Sequence, residues 1–583
     1  MDPITVTLIT GRTMDQGRAM EEGKFLAGYV DKCAVIELDP DDLSKLGVQP
    51  GSNVKVRTDY GEVVVKAVAS PSPHPGVAFI PMGPWANAVV NPNTYGSGMP
   101  TLKGVKALVE PTTEPVKQLP ELLSTMTTKP VEVKVGGGSE AKGDPPSSAE
   151  YTVSDVVCPF CGCTCDDIQV TVRGGSIASV KGPCALGTSK FMNYNKERAY
   201  KPMVRRDGRF VEVSYDEAIE EAARILANAK YPVLYGWSST SNEAMRLGVE
   251  LAELVGGVVD NTAVICHGPT ILGTQQVGVV TATLGQIKNR ADLIVYWGCN
   301  PLFAHPRHTV RYSAMAKGKY VPEGRRSRKV IVVDVRPTPT SKIADLFVKV
   351  EPGMDYELLT ALRMAVRGHT IEASEVAGVP RETIEKMADM LMSARFGVIF
   401  FGMGLTMTQG KGRNVEEAIK LVQDLNEWTK FVLLAMRGHF NVTGTNAVMA
   451  WLTGYPYAVE FSRGFPRSNP GVTSSTDILM RGEADAALIV ASDPASHFPR
   501  KAVEHLAKIP TIVIDPRWTP TAAIADVFIP TTFVGIEAEG TIYRMDKVPL
   551  RAKKVVDPPP GLLSDVEVLE RLIARVRELK AAR

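Results

Sequence analysis

The sequence predicts an α/β protein of several domains, with more than one doubly wound sheet and a small β-barrel at the N-terminus. Three observations predict this. The 583 residues exceed what one hydrophobic core organises. From about residue 151 onward, short apolar runs alternate with segments of helical period, the pattern of buried parallel strands joined by crossover helices. Before that point, residues 1–111 hold several short β-branched runs and only one short helical stretch.

In chain order, the runs at 4–9, 34–37, 53–58 and 62–68 read as barrel strands. They are bounded by Asp39-Pro40, Gly47-Val48-Gln49-Pro50-Gly51 and Tyr60-Gly61, with a helical turn near 41–46. Residues 112–150 read as a flexible linker, punctuated by Pro111, Pro115, Pro120 and Pro130, then Gly136-Gly137-Gly138 and Pro145-Pro146-Ser147-Ser148. A free segment of that length spans roughly 35 Å. Residues 151–205 hold most of the cysteines, and 206–583 carry the alternating pattern. There, Ser214-Tyr215-Asp216-Glu217 is a capping box opening a helix to about 230. Strands follow at 233–235, 293–297, 329–335, 398–401, 431–435, 487–491 and 511–514, separated by helices at 242–255, 356–366, 415–428 and 502–508. A second capping box, Ser564-Asp565-Val566-Glu567, opens the last helix.

Composition excludes several classes. A net charge of +2 without a long basic block gives no footprint for nucleic acid. No apolar run reaches the roughly 18–20 residues that span a bilayer. The N-terminus, Met1-Asp2-Pro3-Ile4, has neither a charged n-region nor an apolar h-region, so a cytoplasmic location is expected.

Five of the eight cysteines lie between 158 and 184: Cys158, Cys161, Cys163, Cys165 and Cys184. Three thiolates within eight residues and a fourth a hairpin away can wrap one iron–sulfur cube. A disulfide framework and a zinc knuckle are the competing readings. The first needs an oxidising compartment, and the second favours paired C-x2-C or added histidines, which this run lacks. Cys163 and Cys165 both remain candidates for the third ligand. Cys266, in Ile265-Cys266-His267-Gly268-Pro269, stands apart, at a strand end of the kind where α/β folds bind ligands. A lone cysteine there is commonly a small buried hydrophobe, but the adjacent His267 favours a reactive site. His305 and His308 read as structural histidines rather than a metal pair.

The Cys-His-Gly-Pro sequence, following C-x2-C-x3-C…C, resembles the molybdenum- or tungsten-dependent formate dehydrogenases. The segment from Cys158 to Ile168 resembles, more narrowly, the B-type subunit of the formylmethanofuran dehydrogenases, and this likeness covers about 151–583. Residues 1–111 separately resemble the D-type subunit of the same enzymes through Gly11-Arg12-Thr13-Met14-Asp15-Gln16-Gly17, Pro81-Met82-Gly83-Pro84-Trp85-Ala86-Asn87 and Tyr95-Gly96-Ser97-Gly98-Met99-Pro100. The chain therefore looks like a D–B fusion. In related oxidoreductases the barrel, of double-psi type, is C-terminal and caps the cofactor. The order here is permuted, which is tolerated when termini lie close together.

The resemblance implies a molybdopterin-oxidoreductase-like catalytic region that binds a bis-molybdopterin guanine dinucleotide with tungsten or molybdenum. Cys266 would be the metal ligand, His267 the proton-handling neighbour, and Arg437 the fork that orients the oxygens of carbon dioxide or formate. In Met436-Arg437-Gly438-His439-Phe440-Asn441, His439 departs from the glutamine of the family pattern. Cofactor contacts would come from Gly298, Asn300 and Pro301, from Asp334 and Arg336, from His439, and from Asp493, Asp515 and Arg517. In the barrel they would come from Gly11, Arg12, Thr13, Gln16, Met82, Gly83 and Asn87. One [4Fe–4S] cluster on Cys158, Cys161, Cys165 and Cys184 would feed the site. The family's lysine between cluster and pterin is here Leu186, with Lys190 the nearest later candidate. The implied reaction is reduction of carbon dioxide to formate, the first step of methanogenesis from CO2. Implied partners are an amidohydrolase-like subunit, a glutamate-synthase-like scaffold and polyferredoxin-type carriers. A free-standing formate dehydrogenase and a non-catalytic electron-transfer subunit are the alternatives.

Overall fold

The computed structural model describes residues 2–134 and 150–582. The N-terminal strands close into a six-stranded barrel in the order Ile4–Gly11, Val77–Pro81, Val35–Leu38, Gly61–Ala69, Asn53–Thr58, Lys103–Pro111. Two of its pairs are parallel and the others antiparallel. The strands Val77–Pro81 and Lys103–Pro111, which carry no strong sequence signal, are the ones that complete closure. Helix Met14–Glu22 follows the first strand, with the Thr13 hydroxyl accepting the Gln16 amide at 3.1 Å as its cap.

The flexible linker expected at 112–150 is corrected over its first half. Helix Leu119–Ser124 packs Leu119, Leu122 and Leu123 into the barrel's core cluster. Burial of three leucines outweighs the turn bias of the flanking prolines. The glycine and proline–serine runs at 136–148 lie outside the described residues.

Two doubly wound sheets follow. A five-stranded, all-parallel sheet runs Leu346–Lys349, Lys329–Asp334, Leu293–Trp297, Phe396–Phe401, Lys430–Ala435. In chain order this is 3-2-1-4-5, so the winding reverses between Leu293–Trp297 and Phe396–Phe401. A nine-stranded sheet has a parallel centre, Val527–Ile529, Thr511–Ile514, Ala486–Val490, Pro232–Gly236, Val258–Asn261. Its winding reverses between Pro232–Gly236 and Ala486–Val490, and the whole five-stranded unit is inserted between its strands Val258–Asn261 and Ala486–Val490. Both capping boxes form, at Ser214 and Ser564, opening helices Tyr215–Asn228 and Asp565–Ala581. Among the described residues, no helix is long and apolar enough to cross a membrane.

A three-stranded meander, Glu150–Val156, Ile168–Arg173 and Ser176–Lys181, holds the cysteine loop between its first two strands. Cys184 caps the helix Ala185–Met192 that follows.

Candidate functional site

Ligands in open α/β sheets bind outside the carboxyl ends of the strands, where the winding reverses. Each doubly wound sheet has a cavity at that point, lined at the five-stranded sheet by Gly298, Asn300 and Asp334 and at the nine-stranded one by Asp493, Asp515 and Arg517. The two cavities share the wall residues Arg12, Met82, Ile265, Gly438 and His439. Arg12 and Met82 follow the parallel barrel strands Ile4–Gly11 and Val77–Pro81, so the barrel closes both cavities from one side.

Cys266 lines the first cavity, one residue from the shared Ile265. A short 3-10 turn, Thr262–Ile265, delivers it from strand Val258–Asn261, and its carbonyl accepts the Thr406 hydroxyl at 3.0 Å. Burial raises the Cys266 thiol pKa, against the lowering pull of the Gly438 amide and the Arg437 and Arg12 charges. The groups around it thus favour a thiolate once a metal or cation compensates the burial.

In the first cavity, Gly298 and Asn300 leave strand Leu293–Trp297, while Asp334 and Arg336 leave the adjacent strand. Gly298 has φ +54°, and a β-carbon there would stand 2.7 Å from the Gly404 Cα across the switch point. The turn is therefore bare backbone facing the cavity. Burial raises the pKa of Asp334 and pushes Asp355 up to about 7. Arg336 stacks on Phe79 and bonds Glu37 at 2.5 Å, so part of its fork already serves the barrel seam. Gly11 also lines this cavity; Pro301 only starts the next helical turn.

The second cavity holds Gln16, Asp493, Asp515 and Arg517. Asp493 is saturated by Lys24 at 2.5 Å, Ser496 at 2.5 Å, and the Thr521 amide and hydroxyl at 2.9 and 2.6 Å. It is a knot between barrel and sheet more than a free acceptor. Burial pushes Asp515 up to about 7. Arg517 pairs with Glu21 at 2.9 Å, and Lys190 reaches the same carboxylate at 3.3 Å. Gln16 Oε1, His439 Nδ1, Arg517 Nε and Thr532 Oγ1 are buried without a protein partner. Buried polar atoms are almost always satisfied, so this wall suits a polar ligand.

Several expected site residues lie elsewhere. Thr13 caps a helix, Gly83 packs on Tyr29 and Cys33, and Asn87 donates to the Ser496 carbonyl at 2.8 Å. His267 lines neither cavity. Its Nδ1 meets the Thr270 hydroxyl at 2.9 Å and its Nε2 the Met436 carbonyl at 3.3 Å, while burial pushes its pKa down to about 3. Both ring nitrogens are engaged there, and the ring packs behind the cavity wall rather than lining it. Arg437 also lies behind the cavity walls, its Nη1 on Asn446 Oδ1 at 2.5 Å, and Asn446 in turn bonds Asn261 at 3.2 Å. That series of bonds ties Arg437 to the turn that delivers Cys266.

The cysteine loop surrounds a third, smaller cavity, lined by Cys158, Cys161, Cys163, Cys165 and Cys184. All are free thiols. The Cys158 amide donates to the Cys165 carbonyl at 2.8 Å, closing the loop. Phe160 is shared with the second cavity and His305 with the first. Neither sharing was readable in the sequence, where His305 looked structural. Lys24, Glu21 and Asp355 were likewise missed, since no local pattern distinguishes them from surface charges.

Residues 198–575 match the family described as molybdopterin oxidoreductase, and residues 6–125 match the molybdopterin dinucleotide binding domain. The chain is 51% identical over 430 residues to the B-type subunit of tungsten-containing formylmethanofuran dehydrogenase 2 of Methanocaldococcus jannaschii, covering 73% of this chain and 99% of that one. It is 44% identical over 126 residues to protein FwdD of the same organism, covering 21% of this chain and 95% of that one. Among solved structures it resembles the formyltransferase/hydrolase complex FhcABCD of Methylorubrum extorquens in complex with methylofuran, at TM-score 0.54 and 26% identity, over 65% of this chain and 99% of that one. The chain thus belongs to the molybdopterin oxidoreductase family, joining in one polypeptide a dinucleotide-binding barrel and a region homologous to the B-type subunit of formylmethanofuran dehydrogenase.

Proposed function

We propose that this chain is the catalytic subunit of a formylmethanofuran dehydrogenase, with D and B parts fused, reducing carbon dioxide to formate at a tungsten or molybdenum bis-pterin centre. The observation that carries this reading is the meeting of two cavities, one per doubly wound sheet, beside Cys266. Two dinucleotides would occupy the two switch-point cavities, one against the bare Gly298 turn and the other against unpartnered polar atoms. The bound metal–pterin group would supply the two-electron redox chemistry.

The chain's own residues would do the rest. Cys266 offers a soft thiolate suited to a metal with sulfur donors. Gly438 and Arg437 stabilise that thiolate. His267, clamped by Thr270 and Met436, fixes the backbone just after Cys266. Arg437, oriented by Asn446, keeps a cation close to the thiolate, from which the oxygens of carbon dioxide or formate would be drawn. Ile265 and Met82 give the cavity junction an apolar wall that would disfavour water there.

A [4Fe–4S] cluster on Cys158, Cys161, Cys165 and Cys184 would feed electrons in. Support comes from the one pocket that these four line together with Cys163, and the choice of Cys165 over Cys163 follows the family's x2–x3 spacing. Formate would pass to an amidohydrolase-like subunit in a cytoplasmic complex with a glutamate-synthase-like scaffold and polyferredoxin-type carriers. A solved relative from a formyltransferase/hydrolase complex supports such an assembly.

Elemental analysis of the anaerobically purified native complex, paired with Cys266→Ser, tests this. Tungsten or molybdenum together with iron is expected in the wild type. The variant should lose carbon dioxide reduction while its iron–sulfur signal stays intact. Absence of both metals, or full activity in the variant, overturns the reading.

A further inference from the structure

The first cavity and the cysteine pocket lie on different elements, and one segment joins them. It starts at the switch-point turn Gly298–Pro301 and runs through Phe303, Ala304 and His305, which line the first cavity. It continues into helix Pro306–Arg311, whose arginines grip the cysteine loop. Arg307 makes a bidentate pair with Asp167 at 2.5 and 2.7 Å, and Arg311 bonds Asp166 and reaches Asp167 at 3.1 Å. Both aspartates directly follow Cys165. Bidentate pairs fix geometry as well as contributing energy.

His305 sits where these contacts cross. It is buried, and it is the residue lining both the first cavity and the cysteine pocket. Its Nε2 donates to the Arg437 carbonyl at 2.8 Å. The other side of that carbonyl faces the cysteine loop so closely that a β-carbon on Gly162 would stand 2.5 Å from it. The Arg437 carbonyl is therefore held between the His305 ring and the cysteine loop. Gly438 and His439, the next two residues, form the wall common to both large cavities.

We infer that residues 301–311 are a strut that sets the cysteine loop against the Arg437–His439 loop, with His305 as its positioning residue through the Nε2–H to Arg437 carbonyl bond. The inference rests on the cluster and cofactor assignments proposed above. It gives this chain a packing-controlled link between the cysteine pocket and the first cavity. Partners of this kind, one contact removed from a ligand shell, change activity by roughly 10–100-fold when removed.

The test uses the holo-complex with His305→Ala, His305→Gln and Asp167→Asn. Glutamine can return an N–H donor close to the Nε2 position; alanine cannot. Metal and iron content is measured first, then the cluster's midpoint potential by EPR-monitored titration, then kcat and KM with an artificial electron donor. Expected in His305→Ala are wild-type metal content, a displaced potential and a kcat lowered about 10–100-fold at little-changed KM. His305→Gln should recover most of the loss. Asp167→Asn, at the half-exposed end of the strut, should displace the same potential without touching the cavity. If His305→Ala does not assemble, the Asp167→Asn potential decides alone. An unchanged potential in every variant that assembles overturns the strut. So does an equal fall of the alanine and glutamine variants. If the wild type itself lacks the cluster, the proposed function fails instead, and the two outcomes are distinct.

Discussion

The two large cavities solve the same topological problem with different chemistry. Each lies where a doubly wound sheet reverses its winding, and each is closed by the same barrel edge at Arg12 and Met82. The cavity at the five-stranded sheet is built from bare turns, Gly298 against Gly404, with the half-buried Asp334 and the buried Asp355 behind them. The cavity at the nine-stranded sheet is built from charge. Glu21 is shared by Lys190 and Arg517, and the cations of Lys190, Arg198 and Arg517 lie 5.1, 4.7 and 5.3 Å from the Phe533 ring. The charged cavity is also the one that shares an aromatic wall, Phe160, with the cysteine pocket; the bare one touches that pocket through His305. Topology repeats because strand ends always present free amides and room. Side-chain chemistry diverges because the two cavities draw on different neighbours, bare backbone turns at one and charges from the barrel and helices at the other.

The strongest way to break this comparison is Gly298→Val. A β-branched residue at φ +54°, with its Cβ meeting the Gly404 backbone, should cost roughly 2–5 kcal/mol in strain and overpacking. Cofactor released from the purified variant should fall from two dinucleotides per chain to one. Retention of both would show that the glycine turn is not the first cavity's cradle.

Arg517→Ala is the matching change in the second cavity. It removes one of the two cations on a buried carboxylate, leaving Glu21 with Lys190. A loss of about 2 kcal/mol is expected, less than for stripping a buried ion of every partner. Denaturant titration of wild type and variant measures it, and dinucleotide counting should again drop by one. If the bare cavity's ligand is lost instead, the assignment of charge to one side is wrong.

Glu37 gives the smallest effect and sharpens the role of the shared barrel. Burial pushes its carboxyl up, but His74, Arg336 and Ser70 outweigh burial and hold it at about 2, against an ordinary 4.5. A folded-state value below the unfolded one gives stability that is present above about pH 4.5 and lost as pH falls toward 2. Glu37→Gln should flatten that part of the acid-unfolding curve while costing under about 1 kcal/mol at neutral pH, the range of a partly exposed pair. An acid profile identical to wild type would mean that the Glu37–Arg336 bridge does not help seat the barrel on the first cavity.

Much of the fold was legible because its signals are local. Capping boxes at Ser214 and Ser564, and strand cores such as 293–297 and 511–514, each depend on residues within a few positions of one another. Placement at the cavities was legible where one residue type has few other uses: the cysteines around 158–184 line one pocket, and Cys266 and Gly298 line the first cavity. It was least legible where the same residue serves either packing or chemistry. His267, expected to handle protons, bonds Thr270 and Met436, and His305, expected to be structural, is buried and also lines two pockets. Leu119, Leu122 and Leu123 were lost among prolines because nothing nearby in sequence says that the barrel core has room for them.

By itself, then, the sequence determined the kinds of units present: a barrel, two doubly wound sheets, a segment with five cysteines, and a lone cysteine after a strand. These follow from periodicity and residue chemistry, which act over a turn or a strand. Only the tertiary structure decided which strand ends face each other and that Arg12 stands 5.8 Å over Phe160. It also decided that Asp493 is taken up by Lys24 of the barrel and that His305 reaches Arg437 across 132 residues of chain. Such contacts depend on how whole sheets and the barrel dock. That docking is set by the summed burial of many side chains, so no short stretch of sequence announces it.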